Sequence, residues 1–451
     1  MDNNLRVLII SAADVPNSPN SIVAGGGVRD WALAQGLIQN GISTQIAVPY
    51  SESSLADDIV QIYRDMDQLI EIGSRFDVVI ASPSTVACEV IFNRLPEKVI
   101  RIADAFVPVH LEISASTAGS RLEFDELKFT WFINLYMKRL WASDLYLVAS
   151  TVQRSYLVGL LSGTGLISPS SYDAVDIAIA PIGVDASAPV AVAPQSGKTI
   201  LWWGGFYPWY DFENLYEWAS LLLKLEPETK IRIVGALNPF TSDRLFRDIP
   251  QVALEKLTTL PNVDAWDWLP YSERSKAFEG VSAVLILNGP NFENEFSWRT
   301  RFVDPIAFGM PILTNGGDPF GEVLLEAGGA LRTPSESAKL ANWIAEEMTA
   351  EALTSARSSI VKVKEKFSWK SSAESLATHL KELDAEAIIA ARALREIREA
   401  HAEKSTLGEP RGTYILRARL QQARYVVENE GIKSTIRRIS RFATKKLLRR
   451  G

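Results

Sequence analysis

Arg6-Val-Leu-Ile-Ile-Ser11, followed by Ala24-Gly-Gly-Gly-Val-Arg-Asp-Trp-Ala-Leu-Ala34, is the stretch that decides the fold of this chain. The first segment is a continuous apolar run, as a parallel strand buried on both faces requires. The second segment places glycines before a helical pattern, which Gly41 ends. A strand, a glycine loop and a helix in this order predict the start of a doubly wound α/β domain.

The same alternation continues and then restarts in the second half of the chain. Apolar runs predict further strands at residues 44–48, 78–81, 99–102, 145–148, 199–203, 230–234, 283–287 and 311–314. An Ala, Pro, Ser and Gly-rich stretch between the halves is typical of a linker. We therefore predict two Rossmann-like domains facing a central cleft. Their bounds are 1–185 and 199–384, with a linker at 186–198 and a helical, basic extension at 385–451.

Composition limits the class of protein. A chain of 451 residues with 47% hydrophobic and 22% charged residues is ordinary globular material of two or three domains. The N-terminus lacks the basic and apolar regions of a signal peptide, and no apolar run approaches the roughly 18 residues that span a bilayer, so we expect a cytoplasmic protein. The single cysteine, Cys88, excludes an intrachain disulfide and a zinc site of Cys ligands.

The C-terminal segment 413–451 differs in charge from the rest of the chain. It holds eleven Lys and Arg residues against two Glu, whereas the whole chain carries a formal charge of -7. Apolar residues recur in it at helical spacing, at Ile432, Ile436, Ile439, Ala443 and Leu447. This pattern predicts an amphipathic basic helix, which either contacts the inner face of a membrane or a polymer, or packs as a cap with a solvated basic face.

The glycine loop is a candidate anion site. Gly26, Gly27 and Arg29 lie where free backbone N–H groups and a helix N-terminus favour negative charge. Glycine also serves any tight turn between a strand and a helix. The loop does not match the dinucleotide fingerprint, because its three glycines are consecutive and no acid ends the second strand.

A second candidate site begins at the end of a predicted strand, at Asn288-Gly-Pro-Asn-Phe-Glu-Asn-Glu295-Phe-Ser297-Trp-Arg299-Thr-Arg301-Phe-Val-Asp304. Open α/β sheets bind ligands at such strand ends. Ser297, Arg299, Thr300 and Arg301 are predicted to occupy the first turn of a helix, which suits a diphosphate, and Asp304 one turn later can accept hydrogen bonds from ribose hydroxyls. The alternative is a solvated helix start with a cap.

Another strand-end loop, Gly204-Gly205-Phe-Tyr-Pro-Trp209-Tyr-Asp211, is dense in aromatic residues. Such rings can stack a base or a sugar, and they can equally close a core.

The order of these motifs resembles glycosyltransferase family 4 enzymes of the GT-B fold, in a branch associated with bacterial surface polysaccharides. The resemblance covers most of the chain. It rests on six stretches in the same order, at residues 24–34, 104–112, 144–154, 180–184, 204–211 and 297–311. It implies that a nucleotide-activated sugar binds between the lobes and is passed to a saccharide or lipid-linked acceptor.

The resemblance also implies roles for particular residues. Asp304, five positions before the Gly of Gly309-Met-Pro311, matches the second Glu of the family's Glu, seven residues, Glu motif, which binds the nucleotide ribose. The first Glu falls at Phe296, with Glu295 one residue earlier. Trp209 stands where many members have a basic residue, and the arginines of the second site can supply that charge.

In the first lobe, the resemblance places catalytic candidates in the stretch from Asp104 to His110. His110 matches the rim of the family's active site, where it can contact the sugar or the leaving phosphate; the alternative is a buried histidine bonded to backbone. Transfer is implied to retain configuration, with donor phosphate oxygens helping to activate the acceptor hydroxyl. Arg299, Arg301 and helix N-termini would stabilise the departing charge.

We expect no cofactor, because the nucleotide-sugar is a substrate, and no metal, because no compact Asp-x-Asp pair follows a strand. No nucleic-acid partner is expected. Two other classes of function remain open: a non-catalytic sugar-nucleotide binder or scaffold of a polysaccharide assembly complex, and a sugar-nucleotide epimerase.

Overall fold

The computed structural model describes residues 5–51, 55–118, 123–168, 171–172, 175–194, 197–241 and 244–406. By its contacts the chain divides into two compact units, residues 1–389 and residues 390–451. The first unit contains both predicted α/β lobes. Of the second unit the structure describes residues 390–406, which belong to a helix, so the predicted amphipathic helix of the basic tail lies outside the described residues.

The first lobe is built on a parallel sheet that has seven strands among the described residues, in the order β3-β2-β1-β4-β5-β6-β7. The strands are β1 (Arg6–Ile10), β2 (Ser43–Pro49), β3 (Val60–Tyr63), β4 (Val78–Ala81), β5 (Ile100–Asp104), β6 (Leu145–Val148) and β7 (Ile177–Ile179). The helices between them are α1 (Gly25–Gln39), α2 (Met66–Gly73), α3 (Val86–Phe92), α4 (Val109–Ser116), α5 (Glu123–Trp141) and α6 (Thr151–Gly163). The central strands are buried throughout because apolar clusters cover both faces of the sheet.

The second lobe repeats this design with a parallel sheet of six described strands, ordered β10-β9-β8-β11-β12-β13. The strands are β8 (Thr199–Trp203), β9 (Lys230–Val234), β10 (Val263–Trp266), β11 (Ala283–Ile286), β12 (Ile312–Thr314) and β13 (Ala330–Arg332). The helices are α7 (Phe212–Leu225), α8 (Arg244–Leu257), α9 (Phe292–Phe296), α10 (Val303–Ala307), α11 (Pro319–Glu326), α12 (Ser337–Glu346) and α13 (Ala350–Lys366), with 3₁₀ turns at Tyr271–Phe278 and Thr300–Phe302.

These two sheets confirm the predicted pair of doubly wound domains. Every apolar run that predicted a strand forms one, with ends shifted by at most two residues. Four strands have no counterpart in the prediction: β3, β7, β10 and β13. All four are short, and all four are edge strands of their sheets. Side chains at an edge are less buried, so the apolar run there is weaker.

The C-terminal part of the first unit returns to the first lobe. Helix α14 (Trp369–Lys381) packs against α1, and its buried Leu376 and Leu380 belong to the same apolar cluster as Leu37 of α1. The predicted boundary at residue 384 assigned this helix to the second lobe, and the packing instead assigns it to the first. A backbone hydrogen bond from Trp369 N to Val184 O, 3.1 Å, marks where the chain crosses back. Helix α15 (Ala385–Thr406) follows.

Gln153, at the start of α6, joins the two lobes next to the predicted cleft. Its Nε2 donates to Phe106 O at 2.6 Å in the first lobe and to Phe296 O at 2.8 Å in the second. Its Oε1 accepts from Ala149 N, so both ends of the amide are satisfied in a buried position. The loop after β5 and the end of α9 are therefore held at a defined separation.

Candidate functional site

A cleft of about 610 Å³ opens between the two lobes, within the first compact unit. Its first-lobe wall comes from the loops after β1 and β5 and from α4, and its second-lobe wall from the loops after β8, β9, β10 and β11. All these loops follow the carboxyl ends of parallel strands, which is where open α/β sheets bind ligands. Its size suits a ligand larger than a single sugar.

Both predicted sites, the glycine loop and the stretch from Asn288 to Asp304, contribute residues to this cleft. Gly26 and Thr300 both line it, and an added Cβ on Gly25 would lie 2.7 Å from Thr300 Oγ1. The first turn of α1 therefore approaches the 3₁₀ turn of the second lobe closely. Gly27 faces the other way, since an added Cβ there would lie 2.2 Å from Asp14 O. Its lack of a side chain serves packing, and it does not line the cleft.

Two arginines form the cationic part of the second-lobe wall. Arg301 donates from Nη2 to Gly205 O at 2.8 Å, and its guanidinium lies over the Tyr210 ring, 5.1 Å from the centroid. Arg299 donates to Glu293 at 2.8 Å and to Asn294 Oδ1 at 3.0 Å. Arg301 Nη1 and Arg299 Nε are buried and make no hydrogen bond within the described protein. Both groups are therefore donors without an acceptor.

The local backbone around these arginines differs from the prediction. The predicted single helix start is divided, since Ser297 ends the short α9, Arg299 precedes a 3₁₀ turn, and Arg301 lies inside that turn. Asp304 then lies in α10. Ser297, Arg299, Thr300, Arg301 and Asp304 nevertheless all line the cleft.

An aromatic cluster adjoins the arginines. Tyr207 and Trp209 stack with ring centroids 4.7 Å apart and planes 2° from parallel, and both line the cleft together with Gly204 and Gly205. Trp209 Nε1 and Tyr210 Oη are buried without a hydrogen-bond partner among the described residues. Burial raises the pKa of Tyr207 to about 12, with the Arg301 charge opposing the shift, so this phenol stays protonated. The loop thus offers both ring faces and hydrogen-bond donors.

Asp211, the last predicted residue of this loop, has a different position. Its carboxylate accepts from Asn214 N at 3.0 Å and caps α7, and it does not line the cleft. An aspartate directly before a helix satisfies backbone N–H groups there, so its side chain turns towards the helix.

Glu293, and not Glu295, is the acid that α9 presents to the cleft. Glu293 is 2% exposed and accepts from Ser297 Oγ at 2.5 Å and from Arg299 at 2.8 Å. Glu295 is exposed and does not line the cleft. Successive helical residues turn by about 100°, so residues two apart point in nearly opposite directions. The predicted acid was Glu295, and the acid that lines the cleft is Glu293, two residues earlier.

Asp304 faces the cleft with one oxygen already engaged. Arg274 Nε donates to its Oδ1 at 2.8 Å, and the Arg274 guanidinium lies 3.5 Å from the centre of the Tyr271 ring. Burial would lower the pKa of Arg274, but Asp304 and Tyr271 raise it on balance. Arg274 is a cation of the cleft that the sequence did not indicate, and Asp304 can accept hydrogen bonds through its second oxygen.

In the first lobe, Arg29 and Asp104 form a buried ion pair. Arg29 Nε and Nη2 donate to the two oxygens of Asp104 at 3.0 and 3.1 Å, and Nη1 donates to Ala180 O at 2.6 Å. The residues are 0% and 3% exposed, and neither lines the cleft. Such a bidentate pair fixes α1 against β5 and β7. Arg29, predicted to bind an anion, and Asp104, predicted to be catalytic, therefore form a structural ion pair with each other.

His110 lies behind the wall of the cleft and does not line it. Its Nε2 is hydrogen-bonded to Tyr156 Oη, and its ring stacks on the Tyr156 ring at 5.6 Å. Burial lowers the pKa of His110 to about 4, so the imidazole is neutral at pH 7. The structure therefore agrees with the alternative given for His110, a buried histidine, except that its hydrogen-bond partner is Tyr156 and not the backbone.

Glu112, two residues after His110 on α4, is the acid that the first lobe presents to the cleft. Burial and, to a smaller extent, the nearby Glu293 raise its pKa to about 7, against the opposing charge of Arg299. It lies in the stretch 104–112 that carries the resemblance.

Structural comparison identifies the architecture. An α-glucosyltransferase solved with UDP-glucose and DNA containing an abasic site matches with a TM-score of 0.57 at 11% identity, over 84% of this chain and 99% of its own. HepE from Anabaena, solved with UDP-glucose, matches with a TM-score of 0.55 at 12% identity, over 84% of this chain and 100% of its own. The chain has a GT-B fold.

WaaG, a glycosyltransferase involved in lipopolysaccharide biosynthesis, has the same fold, with a TM-score of 0.52 at 11% identity over 84% of this chain and 100% of its own. No protein-family model matches the sequence, and no curated protein matches it significantly.

Two further findings concern the part of this GT-B chain that the structure describes. No helix there is long and apolar enough to cross a membrane. No group of three or more His, Cys, Asp or Glu side chains there is arranged to hold a metal ion. Cys88 is buried.

Proposed function

We propose that this protein is a glycosyltransferase that moves a sugar from a nucleotide-sugar donor to a saccharide or lipid-linked saccharide acceptor. The observation that carries the proposal is the set of buried donors in the cleft without acceptors. They are Arg299 Nε, Arg301 Nη1, Trp209 Nε1 and Tyr210 Oη. Leaving a buried donor unpaired costs about 1 to 3 kcal/mol, and more for a charged group. An anion with several acceptor oxygens removes this cost, and a diphosphate is such a ligand.

The remaining groups of the cleft suit the rest of a nucleotide-sugar. Asp304 can accept hydrogen bonds from ribose hydroxyls, and the stacked Tyr207 and Trp209 offer a ring surface for a base or a sugar. Glu293, held by Ser297 and Arg299, is a carboxylate for sugar hydroxyls beside the phosphate site. Two structural neighbours were solved with UDP-glucose, so uridine-diphosphate sugars are the first donors to assay.

We propose that transfer needs no metal and retains configuration. Arg299, Arg301 and Arg274 all line the cleft and can stabilise the departing diphosphate as a divalent cation does in other enzymes. No side chain in this proposal forms a covalent bond to the sugar. In a retaining transfer of this kind, a departing phosphate oxygen receives the acceptor proton. The anomeric configuration of the product, read by NMR, tests this part.

The motif order resembles family 4, and WaaG, a structural neighbour, is involved in lipopolysaccharide biosynthesis. On these grounds we propose membership of family 4, a hexosyl donor, a role in cell-surface polysaccharide assembly and a cytoplasmic location. The basic segment 413–451 would hold the enzyme at the inner face of the membrane. A nucleic-acid acceptor is disfavoured by the formal charge of -7.

The decisive experiment is the release of nucleoside diphosphate from a panel of uridine, guanosine, adenosine and thymidine diphosphate sugars. We expect release with one donor class, lost in Arg301→Ala and kept in Arg332→Ala, whose arginine is exposed and outside the cleft. Binding of a donor without release, in the presence of candidate saccharide acceptors, would favour the sugar-nucleotide binder. Conversion of the donor to an epimer would favour the epimerase.

A further inference from the structure

The loop after β9 forms an uncharged part of the cleft wall. Its described residues that line the cleft, counting the last residue of the strand, are Val234, Gly235, Asn238 and Thr241. In the strand order, β8 separates β9 from β11, and the segment after β11 carries Arg299 and Arg301. Neighbouring strands lie about 4.8 Å apart, so the ends of β9 and β11 are roughly 10 Å apart. A diphosphate held by the arginines therefore leaves room for its nucleoside towards β9.

Asn238 presents one kind of hydrogen-bonding group to this part of the cleft. Its Oδ1 accepts from Phe240 N at 2.9 Å. The opposite orientation of the amide would place an NH₂ group against that backbone N–H, so the hydrogen bond fixes which end faces outward. Nδ2 makes no hydrogen bond within the described chain and is not among its buried unpaired atoms, so it is accessible. Asn238 therefore offers a ligand a donor and no free acceptor.

Packing between two loops holds this amide in place. The ring of Phe240 lies edge-on to Trp268, with centroids 5.9 Å apart and planes 85° apart. Trp268 lines the cleft from the loop after β10, and a Cβ added to Gly235 would lie 3.4 Å from its Nε1. Gly235 has a φ of +74°, a conformation that favours glycine. The loops after β9 and β10 are therefore in close contact, and Asn238 is joined to that contact through Phe240.

We propose that Asn238 selects the base of the donor nucleotide by donating from Nδ2 to an exocyclic carbonyl oxygen. This inference rests on the proposed function. Uracil, thymine and guanine carry such an oxygen at the position where cytosine and adenine carry an amino group. An amino group facing Nδ2 would oppose two donors and leave both without an acceptor. Donors with uracil, thymine or guanine are therefore accepted, and cytidine and adenosine diphosphate sugars are rejected.

Two pairs of nucleotides differ in this group and provide the test. UDP and CDP share ribose and diphosphate but carry a carbonyl and an amino group, and inosine diphosphate (IDP) and ADP form the same pair among purines. Calorimetry gives the four affinities. We expect the wild type to bind the carbonyl member at least about tenfold more tightly than the amino member. The pair that contains the tightest ligand decides, because the width of the site separates pyrimidines from purines independently.

Asn238→Asp is the informative variant. It keeps an oxygen for Phe240 N and replaces the Nδ2 donor with a second oxygen, so an acceptor stands where the donor stood. We expect the affinity ratio of UDP to CDP to fall to about 1 or below, because the carboxylate can accept from the amino group of cytosine. The added charge acts on the same diphosphate in both ligands and cancels in the ratio.

Two further variants complete the design. Asn238→Ser keeps a short acceptor for Phe240 N and removes the amide donor, so the ratio should fall to within about threefold of 1. The matched control is Asn134→Asp, which adds the same charge at an exposed position of α5 outside the cleft and should keep the wild-type ratio. Thermal unfolding midpoints near that of the wild type show that the variants are folded.

The outcomes separate this inference from the proposed function. Equal binding of both members of the deciding pair by the wild type, or tighter binding of the amino member, would overturn the inference and leave the nucleotide site correct. A wild-type preference that persists in the folded Asp and Ser variants would assign the selection to other groups and overturn it too. If UDP, CDP, IDP, ADP, GDP and TDP all fail to bind the wild type, the proposed function fails and this inference fails with it.

Discussion

Replacing Arg301 with alanine is the most direct test of the phosphate site. Arg301 is 8% exposed. Its guanidinium donates to Gly205 O at 2.8 Å and lies 5.3 Å from the Trp202 ring centre and 5.1 Å from that of Tyr210. Its Nη1 is buried without a partner among the described residues. One side of the guanidinium therefore holds the loop after β8, and the other is available to a ligand.

The two sides predict two separate losses. Removing a preorganised charge contact to a developing anion costs about 3 kcal/mol, which corresponds to roughly 150-fold in the rate of transfer. Removing the hydrogen bond to Gly205 and the ring contacts should lower the free energy of unfolding by about 2 to 4 kcal/mol. Arg301→Lys keeps the charge but cannot reach Gly205 and the diphosphate with the same fork, so it should lie between the wild type and Arg301→Ala.

Calorimetry with UDP, nucleoside diphosphate release and thermal unfolding together separate these losses. Arg332→Ala is the matched control, because Arg332 is exposed, paired with Glu322 at 2.6 Å and outside the cleft, so binding and rate should not change. Arg299→Ala should also lose more than tenfold in rate, with a larger disturbance, since Arg299 orients Glu293. Unchanged UDP affinity and rate in Arg301→Ala would place the phosphate site elsewhere and refute this reasoning.

Three other perturbations have defined outcomes. Asp304→Ala should weaken UDP binding by about 1.5 to 3 kcal/mol through loss of a charged hydrogen-bond acceptor, and unchanged affinity by calorimetry would remove Asp304 from the ribose site. Asp104→Ala should lower the free energy of unfolding by about 3 to 5 kcal/mol, because it leaves the Arg29 charge buried and unpaired. Denaturant unfolding measures this loss, and a value below about 1 kcal/mol would contradict the prediction. Deletion of residues 413–451 should abolish salt-sensitive sedimentation with anionic vesicles without changing UDP binding, whereas equal sedimentation of both chains would favour the cap.

The strand framework was predictable because burial on both faces of a parallel sheet leaves a record in consecutive residues. Arg6–Ile10, Val78–Ala81 and Ala283–Ile286 are each nearly pure runs of Val, Ile, Leu and Ala, and each forms a central strand. The position of the cleft followed from this framework, since ligand loops extend from the carboxyl ends of such strands. Gly26, Gly205, Trp209 and Arg301 line it as the strand order required.

The role of each charged side chain was not predictable in the same way. Arg29 and Asp104 are 75 positions apart, and nothing in either motif shows that they satisfy each other in the interior. Asp304 and Arg274, 30 positions apart, form a pair for the same reason. A charge in a loop motif can meet a ligand or a distant partner of opposite sign, and only the tertiary structure decides which.

Tertiary structure also decided which face of a short helix points into the protein. A five-residue helix such as α9 has no apolar repeat from which its inner face can be read, so Glu293 and Glu295 are equivalent in sequence. Packing of α9 against α4 buries Glu293 and brings it near Glu112, 181 positions earlier in the chain. The sequence by itself therefore determined the inner strands of both sheets and the place of the cleft, because both depend on local apolar runs. The pairing of charges across the two lobes depends on contacts between distant segments, and only the folded chain settles those.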